Sequence, residues 1–146
     1  MGDAIEDSVR AGRVLPIVVG STLEAERYDR GTAYRLGERL RARAERAGLE
    51  VVVCTDVWYL NDAELSRRAC VSVGEPGVNA LSAHLASRVP SAYVIDGVLM
   101  VQFDVEAGRG HACCWGVGAR ATARAAEAFA ERYAAAFVEG AVSGLE

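Results

Sequence analysis

Apolar positions along this chain fall into short continuous runs and helical stripes. VLPIVVG at 14–20, EVVVCTDVWYL at 50–60 and ACVSVG at 69–74 are compact runs, the pattern of strands buried on both faces of a sheet. Pro16 has no amide N–H and fits such a strand only near its start or at an edge. Between the first two runs, Ala33, Leu36, Gly37, Leu40, Ala44 and Ala47 recur at helical spacing and form one apolar stripe. Asp29 stands where a residue could cap that helix, and Gly48 where a left-handed turn would end it. STLEAERYD reads as a loop long enough to cover a neighbouring site. Residues 62–68 have room for one or two helical turns. A further helix is expected from about Gly77 to Ser87, with Val78, Leu81 and Leu85 inward and Pro90 at its exit.

The texture changes at SAYVIDGVLMVQFDV (91–105). Asp96-Gly97 between two β-type runs is a strong hairpin signal. A second turn, EAGRG (106–110), leads into HACCWGV (111–117). The chain closes with an Ala-rich helix in which Phe129, Tyr133 and Phe137 recur at i, i+4, i+8. Strands alternating with helices imply a parallel sheet. Two hairpin reversals then make 98–104 antiparallel and return 111–117 to the common direction. The expected fold is a single α/β domain over 1–146. It has three αβα layers, with one antiparallel strand in a mostly parallel sheet, flavodoxin-like or Rossmann-like in class. Residues 1–12 are expected to be a loose arm.

Ligands of open α/β sheets bind beyond the carboxyl ends of the parallel strands. Five segments are expected on that rim: Gly20-Ser21-Thr22, Asp56 to Asp62, Gly74 to Asn79, Asp96-Gly97, and Gly116 to Thr122. Ser21 and Thr22 offer hydroxyls for a phosphate or a cap. Asp56 and Trp58 would share a strand face and could receive a ring with amino or hydroxyl groups; otherwise Asn61 or Asp62 caps a helix and Trp58 is core. Gly74 and Gly77 suit close backbone approach to a ligand and Asn79 could aim its amide at it, while Glu75 repels a polyanion and could accept from a ribose or an amine. Gly118, Arg120 and Thr122 open the last helix and could meet an anion. The Gly116–Gly118 pair lacks the third glycine of a dinucleotide fingerprint, so a Rossmann cofactor is not expected and no cofactor is named.

Charge and composition narrow the picture. The net charge is −4, and all 16 basic residues are Arg. A lysine Schiff base and a phosphate loop ending in Lys-Ser/Thr are therefore excluded. Glu38 and Glu45 interrupt the row of Arg35, Arg39, Arg43 and Arg46, which reads as a solvated helix face rather than a nucleic-acid surface. No apolar run reaches a membrane span, and the polar, acidic N-terminus is unlike a secretory signal; a cytoplasmic protein is expected. Cys54, Cys70, Cys113 and Cys114 form no C-x-x-C pair and read as buried free thiols. A metal or catalytic-cysteine role for His84, His111 and the cysteines is disfavoured, since His111 begins its strand at the opposite rim.

The strand–Gly–x–Pro–x–x–Asn–helix passage at 71–85 resembles α/β modules of microbial surface-layer proteins. GARATARAAEAF is similar to their last strand-to-helix turn. No function is carried over from that likeness. The leading expectation is a small-molecule-binding domain whose ligand, anionic or nucleotide-like, lies at the carboxyl-end rim. The alternatives are a hydrolase or transferase with Asp56 or Glu75 as base, and a homo-oligomeric module contacting through the last helix or strand 98–104.

Overall fold

The computed structural model describes residues 13–108 and 110–143. The expected arm at 1–12 lies outside them, as does Arg109 of the EAGRG turn. Six strands form one sheet: β1 (Val14–Val19), β2 (Glu50–Thr55), β3 (Val71–Val73), β4 (Ser91–Ile95), β5 (Leu99–Phe103) and β6 (Ala112–Gly116). Their order is β2-β1-β3-β6-β5-β4. β1 is parallel to β2 and β3, and β3 to β6. β5 is antiparallel to both β4 and β6. Both expected reversals are present, and β6 runs with the core strands. Gly97, at φ 72°, makes the hairpin turn, and the Val98 N–H donates to the Ile95 carbonyl.

Helices cover both faces of the sheet: α1 (Arg30–Arg46), α2 (Asp56–Asn61), α3 (Ala80–Leu85) and α4 (Ala119–Ser143). Alternation along the strands decides which face each side chain joins. Leu15, Ile17, Val19, Val71, Val73, Phe103 and Cys114 pack with α1 and α4. Val14, Val18, Val52, Cys54 and Cys113 point the other way and meet Tyr59, Leu65, Leu81 and Leu85. The aromatic seam of α4 is real. Phe129 and Phe137 lie edge to face at 5.4 Å, and Phe137 meets Phe103 at 5.9 Å. Each such buried ring contributes about 1.5–3 kcal/mol. Arg35, Arg39, Arg41, Arg43 and Arg46 of α1 face outward, and Arg39 pairs with Glu127 of α4.

Three boundaries differ from the sequence reading, each for a local reason. Residues 23–29 are helical rather than loop, with a π-helical turn at Ala25–Asp29 running into α1. Thr22 caps this entry, its hydroxyl oxygen accepting the Ala25 N–H at 3.1 Å. Asp29 therefore sits inside continuous helix and caps nothing. β2 stops at Thr55, whose hydroxyl accepts the Trp58 N–H at 3.2 Å and turns the chain into α2. Asp56 and Trp58 thus lie on a helix and do not share a strand face. α3 begins at Ala80 rather than Gly77, because Asn79 is its cap. Between α2 and β3, Asp62 accepts the Glu64 and Leu65 N–H groups and starts a 3-10 turn at Leu65–Arg67. No helix among the described residues is long and apolar enough to cross a membrane.

Candidate functional site

The carboxyl ends of β1, β2, β3 and β6 meet on one rim, and most polar groups there hold one another. Asn79 is buried, and all its bonding capacity is used. Its amide donates to the Val18 and Val73 carbonyls at 3.2 and 2.9 Å. Its oxygen accepts the Leu81 and Ser82 N–H groups at 2.9 and 3.1 Å. One side chain therefore ties β1 to β3 and caps α3. Asp56 accepts from the Ser21 hydroxyl at 2.5 Å, and from the Val57 and Ala80 N–H groups at 2.8 Å each. Three donors make it a brace between loops, which leaves little of it for a base. Thr122 accepts the Gly116 N–H at 3.1 Å and fastens α4 to β6.

The anion-binding expectation meets a specific obstacle at α4. Glu75 reaches across from the β3 loop and accepts the Gly118 N–H at 2.7 Å. The amide that would greet an incoming phosphate already holds a carboxylate of this chain. Gly77 and Arg120 are exposed on the same side. Trp58 is 42% exposed, so it is not the core residue of the alternative reading.

One residue of this rim, which the sequence offers as a helix cap and as part of a covering loop, has a different place. Asp29 is 5% exposed, yet no side-chain hydrogen bond of its carboxyl occurs among the described residues. It faces the end of β3, where Gly74 has φ 125° and a Cβ would lie 2.8 Å from Asp29 Oδ2. Only glycine serves there, both for its left-handed backbone and for the room it leaves. Burial pushes the Asp29 carboxyl up to about 6, and the negative charges of Glu24 and Glu75 add to the effect. The signal was in the sequence. Counting back from Ala33 by one helical repeat puts Asp29 on the apolar stripe, the buried side of the helix.

Apolar side chains surround this polar centre at the same end of the sheet. Leu23 follows β1, Val57 and Trp58 follow β2, and Val117 follows β6; all are exposed, Leu23 by 75% and Val117 by 70%. The cysteines offer nothing comparable. All four are buried and free. Burial pushes the Cys54 thiol up to about 12 and that of Cys113 to about 11, with Cys70 and Cys114 also raised. Such thiols are not nucleophiles near neutral pH. His111 lies at the opposite rim and contacts the Tyr59 hydroxyl at 2.9 Å. No group of three or more His, Cys, Asp or Glu among the described residues could hold a metal ion. The chain matches no protein-family model and no curated protein.

Proposed function

We propose that this domain binds a small molecule at the carboxyl-end rim, through a cationic or hydroxyl-bearing group directed at Asp29. The observation that carries this reading is a largely buried carboxyl with no side-chain hydrogen bond among the described residues, set against the bare Cα of Gly74. Its oxygens are not among the fully enclosed unpaired atoms, so a donor arriving at the strand-end rim can reach them. Exposed Leu23, Trp58 and Val117 would meet an apolar portion of the same molecule. Phosphates and nucleotides are disfavoured, because Glu24, Asp29, Asp56 and Glu75 make the rim acidic. The β2-β1-β3 half of the sheet supports grouping the fold with flavodoxin-like architectures, which share that order and bind at this end.

Thermal-shift screening with amines, polyols, amino acids, phosphates and nucleotides tests the proposal. Amines or polyols are expected to raise the melting temperature, and Asp29→Asn to abolish the gain. Hits that bind Asp29→Asn equally well, or no hit in either class, would refute it. The enzyme reading is favoured by the same residue. A carboxyl titrating near 6 suits acid–base work close to neutrality, so Asp29 replaces Asp56 and Glu75 as the candidate base. An assembly role has its own observation. β4 is an edge strand with Val94 exposed, and Met100, Trp115 and Val117 line a groove beside it. Light scattering of the pure protein decides whether that edge joins two copies.

A further inference from the structure

The opposite rim, at the amino ends of β1, β3 and β6, holds a cavity of about 390 Å³. Val14, Leu49 and Ala141 supply apolar wall, while Arg67 and Arg68 bring nitrogen donors; among the described residues no carboxylate side chain lines it. Neither arginine has an ion pair or a side-chain hydrogen bond among the described residues, and Arg68 Nε is fully buried without a partner. The comparison with Arg30 is informative, because its Nε is also buried but has Glu26 Oε1 at 2.8 Å. Arg68 has no such neighbour among the described residues.

The cavity is also built from positions that the fold fixes. Tyr59 of α2 places its hydroxyl 2.8 Å from the Arg68 carbonyl and 2.9 Å from His111 Nε2. The hydroxyl has one proton, and a carbonyl can only accept. The proton therefore goes to Arg68, and His111 Nε2 donates its own to the tyrosine oxygen. The backbone of Arg68 and the ring of His111 are held by one side chain. Gly140 and Ala141, near the carbonyl-bearing end of α4, also line the space. That helix end carries partial negative charge, which tells against a dianion and for a single planar charge matched to a guanidinium.

We infer that this cavity binds a small organic monocarboxylate, its carboxylate on Arg68 and Arg67 and its hydrocarbon body against Val14, Leu49 and Ala141. The site is distinct from the carboxyl-end rim and does not depend on the reading given for it.

Benzoate and benzamidinium, of like shape and opposite charge, test the inference by titration into ¹⁵N-labelled protein. Benzoate is expected to saturate with shifts confined to the amides of Ala69, Ala107, Gly110 and His111. Benzamidinium should leave those amides unmoved, and phenyl phosphate should bind more weakly than benzoate. Arg68→Met should weaken benzoate by about tenfold or more, the loss of one charge-assisted hydrogen bond. Arg67→Gln, an exposed change that spares the fold, should weaken it by a smaller factor. The inference is overturned if benzoate fails to saturate at these amides, if benzamidinium or phenyl phosphate binds there as well as benzoate, or if both variants bind like the wild type.

Discussion

The two ends of the sheet handle charge in opposite ways. At the carboxyl end, Asp56, Asn79, Glu75 and Thr122 spend their hydrogen bonds on the protein itself. At the amino end, Arg67 and Arg68 border open space, and their guanidinium groups have no ion pair among the described residues. A rim rich in polar residues is therefore not by itself a rim with polar groups to spare. What distinguishes a brace from a binding group is whether its donors and acceptors are already matched. By that measure Asp29 at one end and Arg68 at the other are, among the described residues of the two rims, groups with bonding capacity to spare.

Substitutions that separate braces from binders sharpen the contrast. The largest effect is expected at Asn79. Asn79→Ala removes the α3 cap and strands two buried carbonyls, for a loss of about 3–5 kcal/mol in urea unfolding. A loss below about 1 kcal/mol would mean the carboxyl-end rim is not braced there. Asp29→Asn should act in the opposite direction. The folded carboxyl titrates near 6 rather than at its ordinary 3.8, so the folded state holds its proton more tightly. Below about pH 4 both states are protonated and the burial carries no ionic cost. Stability is then lost as pH rises through about 6, by on the order of 1–3 kcal/mol. The variant should be more stable than wild type at pH 7.5, and should lack that decline in melts between pH 4 and 7.

Smaller effects are expected at the other end. Tyr59→Phe removes the hydroxyl that joins Arg68 to His111 and should cost about 1–2 kcal/mol. It should also weaken benzoate binding while leaving any ligand of the Asp29 rim in place. A change at both rims would break the distinction between them. The thiols should show no effect at all. With Cys54 pushed to about 12 and Cys113 to about 11, native protein should resist an aromatic disulfide reagent at pH 8 and react only on unfolding.

Much of the architecture was readable because it rests on local chemistry. Asp96-Gly97 could hardly be anything but a hairpin turn, and that one turn helps set the direction of β6. Val runs and the Phe129–Tyr133–Phe137 spacing gave the core. The errors lie where a side chain's role depends on a distant segment. Thr55 ends β2 by capping α2, which the apolar run through Leu60 conceals. Asp29 stands one helical repeat before Ala33, which marks its buried side, but the glycine it faces, Gly74, is far away in sequence. In the sequence, Arg67 and Arg68 are simply part of a stretch with room for a helical turn. Their lack of partners emerges from the packing of Tyr59, His111 and α4, which no spacing along the chain records.

The two helical layers differ in build as well. One face carries helices of 17 and 25 residues, whereas the other is assembled from pieces of six, three and six. Short helices hold few internal turns of their own and depend on packing, so amide exchange should be fastest in this thin layer. Asp56 stands at one end of it and Arg68 at the other. A single loosening of that layer would disturb both ends of the sheet together, while the long-helix face kept the rest of the fold in register.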